Sequence, residues 1–159
     1  MNDLTPSDDL LRETANYIAI RRLQSAYADV VTRRAWPELE QLLLPDARVV
    51  LEYPPGRLLD LVGPRMLADH IDGAIPASDF FEFVVLNTVL TISPTESTAT
   101  GRMYMCAFRG EGEVLGVYHD RYKHVDGRWW FDYRRYDSLA SASLHRDKFS
   151  FPGNWWVDG

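Results

Sequence analysis

GVYHDRYKHVDGRWWFDYRRYD, residues 116 to 137, holds more rings than a solvated hairpin needs and more charges than a plain core tolerates. The pair Asp126-Gly127 inside it is the strongest short signal for a β-hairpin, because a type I′ turn needs positive φ at both central positions. The flanking residues then form two antiparallel strands, Val114 to Val125 and Arg128 to Asp137. A two-residue loop sets Val125 opposite Arg128, Tyr122 opposite Phe131 and Tyr118 opposite Arg135. One face of this ribbon carries Tyr118, Asp120, Tyr122, Trp129, Phe131, Tyr133 and Arg135. The other carries Val117, His119, Arg121, Lys123, Trp130, Asp132, Arg134 and Tyr136. On the aromatic face Asp120 and Arg135 can meet diagonally. An acid and a base buried among rings are either a structural clamp or a ligand-orienting group, and breaking them is costly in both cases.

Working outward, two further strands precede the hairpin: Phe80 to Ile92, ended by SPTEST, and Thr98 to Arg109, turned by GEGE. Before them the period changes. From Asp9 to about Thr32, Ile20, Leu23, Tyr27 and Val30/Val31 recur at helical spacing. Trp36-Pro37 opens a second short helix with Leu39, Leu42 and Leu43 facing inward, and Pro45-Asp46 stops it. In RVVLEY, Val49, Leu51 and Tyr53 alternate with Arg48, Val50 and Glu52, as in a half-buried strand. Pro54-Pro55-Gly56 turns into a strand from Leu58 to Val62, and Gly63-Pro64 starts a helix over about 65 to 74. The order α-α-β-β-α-β-β-β-β places helices first and a long antiparallel meander last, an α+β pattern. No repeat or linker divides it, so residues 1–159 read as one domain with a core over about 10–138 and a tail over 139–159.

The chain has 159 residues, net charge −6 and no long basic run. Phosphate binding needs clustered Lys and Arg, so nucleic acid and anionic membrane are excluded as partners. Cys106 is the only cysteine, which rules out an intrachain disulfide and a Cys-based zinc site. No His/Asp/Glu spacing resembles HExxH, and there is no phosphate loop and no GxSxG. MNDLTPSDDL lacks the basic and apolar stretches of a signal peptide, and no apolar run is long enough to span a bilayer. A cytoplasmic, metal-free protein is expected. SFPGNWWVDG, with Trp155-Trp156 side by side, is expected to lid a pocket or to cross to another subunit.

AYADVV, RRAWPELEQLLLPDA, LNTVLTI, ATGRMYM and the hairpin, in this order, resemble the SnoaL-like branch of the nuclear-transport-factor-2-like superfamily over about residues 10 to 138. The resemblance implies a cone-shaped, curved antiparallel sheet closed by the N-terminal helices, with a deep pocket inside. It also implies a homodimer or homotrimer and no cofactor. Family members include polyketide cyclases, scytalone dehydratase, bile-acid 7α-dehydratase and hexachlorocyclohexane dehydrochlorinase. They perform acid–base chemistry on cyclic hydrophobic substrates. In the elimination enzymes an Asp near the end of the first helix and a His on a long strand form a dyad. Here the Asp position falls at Thr32 and the His position near Phe83, so the dyad is missing. Tyr27 matches a pocket tyrosine of the bile-acid enzyme, and Leu51 the position of a scytalone dehydratase tyrosine. Arg134 matches a pocket arginine of the dehydrochlorinase, and Asn87 the polar slot after the family histidine. The resemblance puts Arg134 inside, whereas hairpin parity puts Arg135 inside; a β-bulge after Trp129 would reconcile them.

Two functions stay open on these residues. The first is a cofactor-independent lyase or isomerase/cyclase acting on a hydrophobic, aromatic or polycyclic oxygenated molecule. Tyr27, Tyr53 and Tyr118 would supply hydrogen bonds and protons, Asp120 a carboxylate base, and Arg134 or Arg135 an oxyanion partner. Val31, Thr32, Leu51, Phe83, Asn87, Met105 and Tyr136 would line the pocket. The second is a non-catalytic small-molecule-binding protein that retains the pocket. Each residue also has a plain reading: Tyr27 as a core ring, Met105 as core packing. His119 reads as a solvated strand residue, and His70 and His145 as surface groups.

Overall fold

The computed structural model describes residues 7–53, 56–75, 80–93, 95, 97–110 and 112–143. Residues 144–159, with His145 and the Trp155-Trp156 pair, lie outside the described residues. Helix α1 spans Asp8–Arg33. Ser7 caps it by accepting from the Leu10 amide at 3.3 Å, and Arg34 ends it in the left-handed conformation, its amide donating to the Val30 and Val31 carbonyls. The stripe Ile20, Leu23, Gln24, Tyr27, Val30 and Val31 is buried. A 3-10 helix, Trp36–Gln41, replaces the expected second α-helix: Leu43 already belongs to β1, leaving only a short stretch after Ala35. The remaining elements are β1 Leu43–Tyr53, β2 Arg57–Val62, α2 Gly63–Ala74, β3 Phe81–Ile92, β4 Thr98–Arg109, β5 Gly112–Val125 and β6 Arg128–Ser143.

The strands form one curved, unclosed sheet in the order β2-β1-β6-β5-β4-β3. Every pair is antiparallel except β1 with β6, which is parallel, so the sheet is mixed. Helix α1 packs over β3 and β6, and α2 over β1. Between them lies a core of aliphatic side chains and rings, including Ile20, Tyr27, Leu67, Tyr122 and Phe131.

The Asp126-Gly127 turn takes φ values of 51° and 80°, as a type I′ turn requires. The register runs regularly from Val125↔Arg128 to Tyr122↔Phe131 and then shifts, because Arg121 faces Tyr133. Asp132 is therefore an extra residue in β6, a bulge that reverses inside and outside from Tyr133 to Ser138, after which the register shifts again. It is held from the outer face by Arg121 and by Lys123, the latter at 2.8 Å. Beyond it Asp120 faces Arg134 and Tyr118 faces Tyr136, so Arg134 and Tyr136 turn inward. Arg135 and Tyr133 leave the face that parity assigned them. Arg135 stands outside, bonded to Glu52 and Asp137.

Candidate functional site

The inner face of β6 and β5 meets the stripe of α1 around a single cation. Arg134 has no exposed surface, and its guanidinium lies 4.0 Å from the ring centres of Tyr27 and Tyr118 and 4.1 Å from that of Phe131. Its Nε donates to Asp120 Oδ1 at 2.8 Å and its Nη2 to Oδ2 at 3.2 Å. Its Nη1 has no hydrogen-bond partner, facing ring π-electrons instead of a lone pair. Burial by itself would lower the Arg134 pKa, but Asp120 and the two phenols outweigh it, and the net direction is upward. The guanidinium stays charged.

Both carboxylate oxygens of Asp120 are engaged by partners. Besides Arg134 it accepts from the Tyr122 hydroxyl at 2.9 Å, which in turn accepts from Gln24 Nε2 at 2.7 Å. Gln24 Oε1 accepts from Thr88 at 2.9 Å and from Arg21 at 3.1 Å, so the chain of bonds ends on α1 and β3. This is a clamp joining four elements, α1, β3, β5 and β6, with the carboxylate as its centre.

In front of the clamp is a cavity, lined by the buried Tyr27, Val31, Phe83, Met105, Tyr118 and Tyr136 and, nearer its mouth, by the more exposed Tyr53, His70, Ile71 and Arg109. Its free space is about 70 Å³. The Tyr27 ring meets Phe83 edge-on at 5.6 Å and Tyr118 at 6.3 Å. Burial raises the pKa of both phenols, and Arg134 behind them only partly offsets this. Both stay protonated at neutral pH. Tyr136 packs against Tyr118 at 5.1 Å and over β5 at Gly116, where a Cβ would lie 2.2 Å from its ring. Only glycine leaves room for that ring.

At the mouth the Tyr53 hydroxyl is 3.1 Å from His70 Nε2. Burial pushes Tyr53 up to about 12. Burial and the nearby Arg57 cation lower the pKa of His70 from its ordinary 6.5. A neutral imidazole thus sits beside a protonated phenol, with one ring nitrogen free to accept. Sequence reasoning placed His70 on the surface. The available signal was its position on α2 next to Leu67 and Ile71, which mark the inner face of that helix.

Of the other residues singled out above, Leu51 is buried in the core. Thr32 is half-buried, its hydroxyl accepting from the Phe83 amide at 2.9 Å. Asn87 is exposed on β3. Cavity and clamp thus bring together Tyr27, Tyr53, Tyr118, Tyr136, Arg134, Val31, Phe83 and Met105, and leave Leu51, Asn87 and Arg135 apart. Among the described residues no three His, Cys, Asp or Glu side chains gather as a metal site would need. Among them too, no helix is long and apolar enough to cross a membrane.

The sequence model of the SnoaL-like domain matches residues 12–135. No protein of curated function matches the chain. Among solved structures, hexachlorocyclohexane dehydrochlorinase LinA-type3 from Novosphingobium barchaimii LL02 superposes with a TM-score of 0.69 at 22% identity, covering 92% of this chain and 100% of that one. A putative scytalone dehydratase from Novosphingobium aromaticivorans gives 0.68 at 22% identity, covering 87% and 91%. The β subunit of a putative aromatic-ring-hydroxylating dioxygenase from the same species gives 0.61 at 20% identity, covering 84% and 96%. At these identities the likeness is one of fold.

Proposed function

The chain belongs to the SnoaL-like domain family, and from that premise we propose that it is a cofactor-independent acid–base enzyme, a lyase of the dehydratase or elimination type or an isomerase/cyclase. Its substrate is a small, hydrophobic, oxygenated ring compound. The observation that carries this reading is the presence of two sets of groups on the lining of one apolar cavity: protonated Tyr27 and Tyr118 in front of a fixed cation, and the Tyr53–His70 contact.

In the elimination, a substrate hydroxyl lies against Tyr27 and Tyr118. Tyr53 takes a proton from the adjacent carbon while passing its own to His70 Nε2, so the imidazole ends with one proton more. The carbon–oxygen bond breaks, the leaving hydroxide takes the Tyr27 or Tyr118 proton, and water is released. Arg134 stabilises the phenolate left behind. Return of the proton from His70 through solvent resets both sets. In an isomerisation the same proton returns to a different carbon. Asp120 is not the base in this scheme; its oxygens are taken by Arg134 and Tyr122. A cavity that encloses benzene measures about 150 Å³, so the free space of about 70 Å³ admits at most part of one ring, with the remainder of the ligand in the mouth.

Incubation with a panel of small cyclic hydroxy-ketones in deuterated water, followed by mass spectrometry, tests this. Elimination or deuterium exchange that is lost in His70→Gln and Tyr27→Phe is the expected result. The second reading is a non-catalytic binding protein, favoured by Thr32 and Phe83 at the positions where the family resemblance places a dyad. Saturable binding with neither conversion nor exchange across the panel would establish it.

A further inference from the structure

Acidic residues outnumber basic ones in this chain, 23 to 17. Arg48, Arg65, Arg121 and Arg135 all sit in ion pairs. Arg57 and Arg109 make none among the described residues. Arg109 lines the cavity and Arg57 stands beside a lining residue, as the sheet register shows. Directly opposed residues of paired strands project from the same face. Arg57 on edge strand β2 opposes Tyr53, and Arg109 at the end of β4 opposes Phe81. Tyr53 and Phe81 both line the cavity, and Arg109 lines it too. Arg57 on edge strand β2 and Arg109 on β4, the strand next to the other edge, therefore each stand beside a residue that lines the one cavity. Their charge is felt inside, since Arg109 acts on Tyr53 and Tyr136 and Arg57 acts on Tyr53 and His70.

We infer that the ligand of this cavity is an anion, a single-ring compound bearing a carboxylate that Arg109, helped by Arg57, holds at the mouth while the ring enters the apolar interior. The inference rests on reading the cavity as a small-molecule site. It adds the ligand's charge and direction of entry. A carboxylate at the rim keeps its hydration on one side and gains charge-assisted bonds on the other. Part of the ring buries against Val31, Phe83 and Met105. A protein of net charge −6 repels anions at long range, so discrimination has to come from these local cations.

Titration calorimetry of the full chain with benzoate and with benzamide, matched in shape and different in charge, tests the inference. Benzoate is expected to bind about tenfold more tightly, the order that a charged hydrogen bond contributes. Arg109→Gln should abolish that preference and leave benzamide affinity unchanged, and Arg57→Gln should reduce it by a smaller factor. Arg102→Gln removes the same charge from an exposed position outside the cavity and should leave the preference intact. Raising the salt concentration should weaken benzoate alone. Equal affinity for the two probes, or a preference that survives in Arg109→Gln, overturns the inference and leaves the cavity reading standing. Absence of binding by both overturns the inference together with the cavity reading. Catalytic turnover does not enter the measurement.

Discussion

The Thr32 hydroxyl accepts a hydrogen bond from the Phe83 main-chain amide at 2.9 Å, tying the last turn of α1 to the start of β3. These are the two positions at which the family resemblance places an acid and an imidazole, and the fold does bring them together. Here the contact is used for a backbone bond. Thr32→Val should cost about 1 kcal/mol, the net worth of one hydrogen bond, measurable by urea denaturation. The double change Thr32→Asp with Phe83→His should not raise turnover. It removes the ring that packs edge-on against Tyr27 and disturbs the phenols that face the substrate. A gain in rate in that variant would show that the cavity still works in the dyad's way.

Tyr27→Phe and Tyr118→Phe should each lower turnover on the true substrate by about 10²-fold or more, the usual lower range for a positioned acid–base group. Thermal stability should change little, because each ring, with its contact to Arg134, is retained. Unchanged rates in both variants would remove the phenols from the mechanism.

Breaking the clamp is a different kind of damage. Asp120→Asn strands the Arg134 charge in a site with no exposed surface, at a cost of about 3–5 kcal/mol. Adding Arg134→Met should recover much of the loss, since a neutral side chain of similar reach needs no partner. A single variant as stable as the parent would mean that the carboxylate is not what holds the guanidinium.

The pH dependence should carry the mark of His70. Its pKa in the folded protein lies below the ordinary 6.5, chiefly through burial. As pH falls, the unfolded chain takes up this proton first. The associated stability is therefore present above about 6.5 and is lost through the folded value. Turnover should follow the same sense, flat at neutral pH and falling on an acid limb that lies below 6.5. His70→Gln should remove that limb along with most of the rate. No alkaline limb should come from Tyr53, which stays protonated until about 12. An acid limb that persists unchanged in His70→Gln would assign the base elsewhere.

Most of the element order was legible because it rests on local signals: the helical stripe of α1, the Asp126-Gly127 turn, the alternation of Val49, Leu51 and Tyr53. Two features were not. The parallel pairing of β1 with β6 joins segments far apart in sequence, and neither strand's pattern names its neighbour. The bulge at Asp132 is fixed by Arg121 and Lys123 gripping its carboxylate from outside, a tertiary cause that strict two-residue alternation cannot anticipate. The parity argument alone therefore chose Arg135, while the family resemblance already pointed to Arg134. His70 was missed for a related reason: on the short α2 a polar side chain beside apolar ones reads as solvated until the partner across the gap, Tyr53, is known.

The strand that completes this sheet is also the last of its described strands to leave the ribosome. β6 lies between β1 and β5, so the β1–β2 ribbon has no sheet to join until nearly the whole domain has been synthesised. A nascent chain lacking β6 carries two separate pieces of sheet with unpaired edges, the state most prone to aggregate. Premature termination before Arg128 should yield insoluble fragments rather than a smaller folded domain. Because the pairing of β1 with β6 joins segments so far apart in sequence, the chain is expected to fold slowly for its length.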